Sequence, residues 1–331
     1  MIRRPRLAKG GLVLASSLVG LAVLCAGSQL ATGDPLTYLR RLRNLSPWPD
    51  KAARLGIFRD DARLGYSYVP LATGRHRTSE FDVRYSIDAT GCRVTPAPPR
   101  AKGVVLALGD SFTFGQGVAD GDAYPAILGS RYWRRHKVRN CGGLGWGTGQ
   151  AALVADDALA GPAKPSVVIY GWIWPDARRN YLRRSWLKIQ NRYLRRIVHF
   201  EIVDGRLRYE GTAGPELGVD DDAPGLVAME SSLTLALVGH MARAAAARAA
   251  AFYLVILPYG DPATPMPIDE ELIAYMRRNR IRFVDLRALE SARSHGPLGV
   301  DRAAFFPLDT HPNAAWHAAV AAAIAERIVL D

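Results

Sequence analysis

The side chain best suited by its sequence position to act as a nucleophile is that of Ser111. It follows an apolar, β-branched run that begins at Val104 and stops at Gly109-Asp110. Such a run is typical of a buried strand, and a sharp turn at its end holds a serine hydroxyl at the lip of a sheet. If a helix follows, its first N–H groups favour negative charge at the same point. The segment therefore offers a nucleophile with part of a site for an oxyanion.

A base and an orienting acid for that serine occur near the C-terminus. His311 lies just before the last predicted helix, with Asp309 two residues earlier. A loop at the carboxyl end of a sheet can bring the imidazole over Ser111, and Asp309 can then orient the ring through its other nitrogen. Nucleophile, base and orienting acid in this arrangement are what acyl transfer through serine requires. Taken alone, Asp-x-His before a helix is more often a capping loop.

An alternation of strands and helices from Lys102 onward indicates the frame that would position these residues. Strands that alternate with helices predict a parallel sheet covered on both faces, with a site at the carboxyl ends of the strands. Asp204-Gly205 between two alternating runs predicts an inserted β-hairpin near 198–210. The strands are expected at 104–108, 137–141, 166–170, 251–257 and 281–286, and the helices at 123–136, 231–250, 269–280 and 313–329.

The N-terminal third is expected to hold a membrane segment and a small β extension. Residues 1–9 form a basic tail, and residues 10–31 are uncharged and long enough to cross a bilayer once. Basic residues before the segment place it in the inner membrane with the rest of the chain in the periplasm. A cleaved signal peptide is the alternative, since small residues follow the apolar core. Residues 32–100 form the extension and a linker, and residues 101–331 the catalytic domain.

The net charge of +12 does not by itself indicate nucleic-acid binding. Its arginines are scattered among alanines, and an exported chain rarely meets nucleic acid. A basic exterior suits anionic polysaccharide or phospholipid headgroups. In an oxidising compartment Cys92 and Cys141 would pair, but two buried thiols are an equally good interpretation. The sequence has no Cys/His cluster with metal-ligand spacing, and no metal or cofactor is expected.

Three sequence blocks resemble the SGNH/GDSL hydrolase family. They are Gly109-Asp110-Ser111 after a strand, the glycine-rich segment 140–148 and Asp309-Thr310-His311-Pro312-Asn313. The resemblance runs from about residue 104 to the C-terminus. It implies a flavodoxin-like three-layer α/β/α sandwich and ester chemistry, with Ser111 as nucleophile and His311 as base. It also implies that backbone N–H groups of Ser111 and Gly145 bind the oxyanion.

One block departs from the family pattern. The family usually has Gly-x-Asn-Asp after the third strand, where the asparagine is a third oxyanion donor. In this sequence Pro175 occupies approximately the position of that asparagine, and proline has no N–H. Loss of one donor typically costs about 10²–10³ in rate. Asn180, Arg178 and Arg179 are the candidates for that position or for a substrate contact; alternatively they only begin a surface helix.

A basic run from residue 178 to 196 follows, interleaved with aromatic side chains. Spacings near four place much of this charge on one helical face, which is usually solvated and otherwise suits an anionic glycan or lipid.

The sequence thus predicts a membrane-anchored, exported serine esterase that removes acyl groups, acetyl being the simplest, from a cell-envelope glycan or exopolysaccharide. Acyl transfer to a sugar hydroxyl, lipid-ester hydrolysis and non-catalytic polysaccharide binding are the alternatives.

Overall fold

The computed structural model describes residues 55–162, 164–181, 183–186, 196–260, 265–289 and 304–330. The predicted basic tail and membrane segment, residues 1–31, lie outside these ranges. Among the helices in the described ranges, none combines the length and the apolar character needed to span a bilayer.

Eleven strands and seven helices are named here in chain order. The strands are β1 (Phe58–Asp61), β2 (Gly65–Tyr68), β3 (Thr73–Arg77), β4 (Asp82–Ser86), β5 (Gly103–Gly109), β6 (His136–Asn140), β7 (Val167–Trp172), β8 (Ile197–Val203), β9 (Arg206–Ala213), β10 (Ala251–Ile256) and β11 (Arg282–Asp285). The helices are α1 (Ser111–Phe114), α2 (Tyr124–Ile127), α3 (Thr148–Ala160), α4 (Pro175–Asn180), α5 (Leu226–Ala246), α6 (Pro267–Arg278) and α7 (Ala314–Arg327).

The central sheet has five parallel strands in the spatial order β11-β10-β7-β5-β6. This confirms the predicted α/β class with a parallel sheet. After β5 the chain pairs β6 on one side of it and β7 on the other. A reversal of this kind opens a crevice at the carboxyl ends of the strands, where ligands bind in open α/β sheets. Ser111 directly follows β5 and therefore lies at the point where the strand order reverses.

Helices cover both faces of the sheet and bury alternate residues of each strand. Leu106 and Leu108 of β5 belong to the core layer that also holds buried side chains of α3, α5 and α6, whereas Val105 and Ala107 belong to the layer that holds those of α2 and α7. Trp316 of α7 is completely buried in the second layer. Because β5 is buried on both sides, it reads as a continuous apolar run in the sequence, and not as an alternating one.

The β extension is tied to the loop that follows β6. A disulfide joins Cys92 to Cys141, so the first of the two interpretations of these cysteines is the observed one. The hydroxyl of Tyr66 donates to the Leu144 carbonyl at 2.8 Å, and the hydroxyl of Tyr68 accepts from the Leu144 N–H at 2.7 Å. A disulfide across 49 residues contributes roughly 2–4 kcal/mol by restricting the unfolded chain.

Arg93 of the extension holds the loop that follows α1. Its buried guanidinium donates to the carbonyls of Phe114, Gly115 and Val118, each at 2.6 Å, and pairs with Asp120 at 2.9 Å. Three backbone acceptors and one carboxylate satisfy this buried charge, which unpaired would be costly. The extension is therefore built into the structure that positions Ser111 and α1.

The inserted hairpin lies at β8 and β9, which pair antiparallel. Its two turn residues, Asp204 and Gly205, have φ of 50° and 71°. Positive φ at both positions is what a type I′ turn requires, and it explains why Asp-Gly indicates a hairpin. Val198 and Phe200 of β8 pack close to Gly149, so the hairpin covers the start of α3.

Two expectations about helices are wrong. The helix predicted at 123–136 ends at Ile127, and a single π turn, Leu128–Tyr132, follows. His136 therefore lies in β6 and not in a helix, because the chain must turn back to pair His136 with Gly103. Gly129, a poor helix former, sits in that turn.

The basic run after residue 178 does not form one charged helical face in its described part. Helix α4 ends at Asn180, and Tyr181 is extended. Arg183 turns inward, where its Nη2 donates to Oε2 of buried Glu230 at 2.8 Å. The ion pair with a buried carboxylate determines where the Arg183 side chain lies, and the helical spacing of the charges does not. Glu230 would otherwise be an unpaired buried charge, which is destabilising. Residues 187–195 lie outside the described ranges.

A buried carboxyl group in α6 provides a pH-dependent test of the fold. Burial raises the pKa of Asp269 from 3.8 to about 6, although Arg287 opposes the shift. Its contribution to stability is therefore complete below pH 3.8 and is lost as the pH rises through 6. Asp269→Asn is expected to raise the free energy of unfolding at pH 7.5 by about 1–3 kcal/mol, and to have little effect at pH 4. Urea unfolding at the two pH values measures this, and an equal effect at both would contradict it.

Candidate active site

Ser111 stands at the junction between β5 and α1. Gly109 has φ of 152°, and a Cβ there would lie 2.1 Å from Thr113 Oγ1 and 2.5 Å from the Gly171 carbonyl oxygen. Only glycine permits this close approach. Asp110 caps the helix, because its carboxylate accepts from the Phe112 N–H at 2.9 Å. The strand, the tight turn and the cap together hold the Ser111 side chain at the carboxyl edge of the sheet.

The structure brings Ser111, His311 and Asp309 into one chain of hydrogen bonds. His311 Nε2 is 2.9 Å from Ser111 Oγ, and His311 Nδ1 is 2.7 Å from Asp309 Oδ1. The loop that carries the last two residues folds on itself, since Thr310 N–H donates to the Phe306 carbonyl at 2.7 Å. Asn313 then caps α7. This is the geometry of an activated serine, its base and the group that orients the base.

The electrostatics of Asp309 suit an orienting role. Burial by itself would raise the pKa of Asp309, but the charge and hydrogen bond of His311, with Gln116, hold it below its ordinary value of 3.8. The carboxylate is therefore ionised at neutral pH. An ionised partner fixes the ring tautomer and stabilises the imidazolium that forms when the ring takes a proton.

Two residues that the sequence did not indicate complete this chain of hydrogen bonds. Gln116 Nε2 donates to both oxygens of Asp309, at 3.1 and 3.3 Å. The Glu80 carboxylate accepts the N–H of Leu308 at 3.0 Å and that of Asp309 at 2.7 Å. Neither belongs to a recognisable local motif, and each acts across about two hundred residues of chain, so no spacing rule would have found them.

The glycine-rich loop after β6 packs directly on the nucleophile turn. Gly143 N–H donates to the Gly109 carbonyl at 2.9 Å. A Cβ at Gly142 would lie 2.4 Å from the Phe114 nitrogen, so this approach also requires glycine. Gly145, the predicted oxyanion donor, has φ of 75° and follows Leu144, which the extension holds in place. The predicted donor thus lies in a rigid loop beside α1.

The three side chains predicted as candidates for the third oxyanion donor lie in different environments. Asn180 is buried and bonded within the fold: its Nδ2 donates to Thr148 Oγ1 at 2.8 Å and to Thr234 Oγ1 at 3.0 Å. Arg178 is exposed, with its guanidinium 5.9 Å from the centre of the Trp174 ring. Of the three, Arg179 reaches the neighbourhood of Ser111, through Asp110. Asn180 therefore serves in the packing of α3, α4 and α5.

Arg179 joins two carboxylates beside Ser111. Its Nη1 lies 2.8 Å from Asp110 Oδ2 and 2.8 Å from Asp176 Oδ1, and it donates to the Trp146 carbonyl at 3.2 Å. Burial and the charge of Asp110 raise the pKa of Asp176 well above 3.8, although Arg179 opposes this. Asp110 Oδ2 is 3.5 Å from Ser111 Oγ. The Arg179 guanidinium is therefore separated from Ser111 by one side chain, that of Asp110.

An aromatic wall, formed by Phe112, Trp174 and Tyr259, lies on the other side of the histidine. The Phe112 ring is 5.7 Å from that of His311 and 5.3 Å from that of Tyr259. Trp174 continues the wall, with its ring centre 6.0 Å from that of Tyr259.

Within the described ranges no group of three or more His, Cys, Asp or Glu side chains is arranged to hold a metal ion.

No protein-family model and no curated protein matches the chain. Similar solved structures include a GDSL-like lipase from Bacteroides thetaiotaomicron VPI-5482, at 15% identity and a TM-score of 0.41, covering 68% of this chain and 87% of that one. A lipolytic protein G-D-S-L family member from Veillonella parvula DSM 2008 has 13% identity and a TM-score of 0.40, with coverages of 67% and 96%. Est24, a carbohydrate acetylesterase from Sinorhizobium meliloti, has 13% identity and a TM-score of 0.41, with coverages of 68% and 98%. Two of these three proteins are described as GDSL-type and the third as a carbohydrate acetylesterase.

Proposed function

We propose that this chain is a serine esterase of the SGNH/GDSL type that hydrolyses ester-linked acyl groups. The observation that carries the proposal is the continuous relay from Ser111 Oγ to His311 Nε2 at 2.9 Å and from His311 Nδ1 to Asp309 Oδ1 at 2.7 Å. Each member has the chemistry that its position requires: a hydroxyl, an imidazole and a carboxylate that stays ionised.

The reaction follows from this geometry in two halves. Ser111 Oγ attacks the acyl carbonyl while His311 Nε2 takes its proton, and the Asp309 carboxylate stabilises the imidazolium. The tetrahedral intermediate collapses, and the alcohol leaves with the proton from His311. A water molecule then gives a proton to His311 and attacks the acyl-serine. The carboxylic acid departs and Ser111 regains its proton.

The oxyanion of each tetrahedral intermediate is assigned to three donors. Two are the backbone N–H groups of Ser111 and Gly145. The third is Arg179, which takes the place of the asparagine that Pro175 removes. Its guanidinium is held by Asp110 and Asp176, retains 15% side-chain exposure and keeps a pKa above its ordinary value, so it stays charged. A preorganised charged donor beside a developing negative charge is worth more than a mobile one.

Arg179→Met is expected to lower kcat for p-nitrophenyl acetate by about 10²–10³, the usual cost of losing one oxyanion donor. Because the substitution also leaves two carboxylates unpaired, rates are expressed per active serine, counted by fluorophosphonate titration. Arg178→Met is the matched control: it removes the neighbouring exposed charge and should keep kcat within about twofold of wild type. If both variants keep the wild-type kcat per active serine, Arg179 is not a donor.

The proposed substrate is an acylated glycan of the cell envelope or an exopolysaccharide, with acetyl as the acyl group. Four features support an exported, membrane-anchored enzyme with such a substrate. They are the uncharged segment 10–31 after a basic tail, the Cys92–Cys141 disulfide, the net charge of +12, and Arg178 against the aromatic wall. Disulfides persist in oxidising compartments, and a basic exterior favours anionic polymers.

Acyl-group and acceptor specificity test this proposal. The expected result is release of acetate from an acetylated polysaccharide, and faster turnover of p-nitrophenyl acetate than of p-nitrophenyl decanoate, both abolished in Ser111→Ala. A preference for the decanoate would instead indicate a lipid-ester hydrolase. Transfer of acetyl to an added sugar in preference to water would indicate an acyltransferase. Polysaccharide binding without turnover of any ester would indicate a binding module.

A further inference from the structure

The structure assigns a positioning role to Glu80: its carboxylate holds the segment that carries Asp309 and His311 in register with Ser111. This inference rests on the proposed function. Glu80 lies in the turn between β3 and β4, in the extension and outside the part of the chain that resembles the hydrolase family. The β extension would then contribute directly to the geometry of the active site.

The contacts of Glu80 are with the backbone of the acid–base loop. Both carboxylate oxygens lie 3.0 Å from the Leu308 nitrogen, and Oε2 lies 2.7 Å from the Asp309 nitrogen. An ionised acceptor makes stronger hydrogen bonds to N–H groups than a neutral one does. These bonds fix the backbone of Asp309, the residue whose side chain orients the His311 ring.

The turn that presents Glu80 is itself rigid. Thr78 Oγ1 accepts the N–H of Glu80 at 3.1 Å and that of Phe81 at 3.2 Å, and Thr78 N–H donates to the Phe81 carbonyl at 2.9 Å. The Phe81 ring packs on Phe306, at the start of the acid–base loop, with 5.0 Å between ring centres. A polar clamp and an apolar contact therefore hold the loop from the same side.

The same hairpin also contacts the segment that carries Gln116. Tyr85 of β4 accepts the Gly117 N–H on its hydroxyl at 2.8 Å. Gln116 in turn donates to both oxygens of the Asp309 carboxylate. Because a misplacement of about 1 Å in a reacting group can cost about 10²-fold in rate, a support of this kind acts on kcat without touching the substrate.

The test compares Glu80→Gln and Glu80→Ala in the full chain with wild type, using p-nitrophenyl acetate. Glutamine keeps the size of the side chain but has one carbonyl acceptor, and alanine has none. Expected kcat per titrated serine falls about 5- to 30-fold in Glu80→Gln and further in Glu80→Ala, with KM within about twofold in both. Glu216→Gln is the matched control, since Glu216 also accepts a backbone N–H, from Gly214 at 3.0 Å, but in a separate turn. It should behave as wild type.

Three results would overturn the inference. One is an unchanged kcat per titrated serine in Glu80→Gln, even if its melting temperature falls, because the clamp would then be structural only. Another is a rise in KM with kcat unchanged. The third is a wild-type protein that neither turns over esters nor takes the fluorophosphonate label. That last outcome overturns the proposed function as well, whereas the first two leave it standing.

Discussion

His311→Ala is expected to lower kcat for p-nitrophenyl acetate by about 10⁴–10⁶. In the described part of the chain, the His311 ring and the Asp110 carboxylate lie within hydrogen-bond distance of Ser111 Oγ. The carboxylate is already bonded to Arg179 and to the Phe112 N–H, so the ring is the group to which we assign the serine proton. Without the imidazole the hydroxyl remains protonated and is a weak nucleophile. Steady-state kinetics measure the loss, and circular dichroism verifies that the fold is retained.

His199→Ala is the matched control for that experiment. His199 lies in β8, where it is placed against Glu201 on the hairpin and away from the relay. Its removal should leave kcat within about twofold of wild type. A His311→Ala protein that keeps more than a tenth of the wild-type kcat would show that another group removes the serine proton, and the assigned relay would be wrong.

Asp309→Asn is expected to lower kcat by about 10⁴ with a small change in KM. The substitution keeps the shape of the side chain but removes the charge that stabilises the imidazolium. With Gln116 already directing an amide group at this position, an asparagine also presents a donor where an acceptor is needed. Because the pKa of Asp309 lies below 3.8, the wild-type carboxylate is ionised from pH 5 to 8. The rate difference should therefore persist across that range.

Asp82→Asn serves as the control for the carboxylate-to-amide change. Asp82 is in β4, where it pairs with Arg75 at the surface. This variant should retain the wild-type rate. Should the rate difference between wild type and Asp309→Asn instead vanish at pH 7, Asp309 would hold the loop in shape without contributing its charge.

The core of the site could be predicted because its parts are encoded locally. A strand that is buried on both faces is apolar throughout, a tight turn needs glycine, and an aspartate caps the helix that follows. Residues 104–111 show these three patterns in that order, so the sequence alone predicts the strand, the turn and the helix. The Asp309–His311 pair is separated by one residue and precedes a capped helix. Short-range rules of this kind predicted that Ser111, His311 and Asp309 lie at the ends of elements that meet, and the structure brings the three side chains together.

The remainder of the site depends on contacts between distant segments. Glu80 and Gln116 contact Asp309 only after three distant parts of the chain have packed together. No periodic pattern in the sequence predicts such contacts. Asn180 and Arg179 are adjacent in sequence, yet α4 directs one into the fold and the other towards Asp110. Which of the two faces the nucleophile depends on the rotation of a six-residue helix, and composition does not determine it.

The prediction that the basic run after residue 178 forms one charged helical face is wrong in the described part of the run for a related reason. Charge spacing predicts a solvated face, but Glu230 lies 47 residues along the chain and offers a buried partner. The helix predicted at 123–136 failed because local propensity was outweighed by the pairing of β6 with β5. In each case a tertiary contact overrode a local preference, as is usual where propensities differ by less than the energy of packing.

The most direct test of the central claim is the covalent reaction of Ser111 with a fluorophosphonate, measured by mass spectrometry of the digested protein. One adduct is expected in wild type, on the peptide that carries Ser111, and none in Ser111→Ala. The labelling rate in His311→Ala is expected to be about 10³-fold lower or more, since the reagent needs the activated serine. An absence of adduct in folded wild type, an adduct on another serine, or equal labelling rates in wild type and His311→Ala would contradict the assignment of Ser111 as nucleophile.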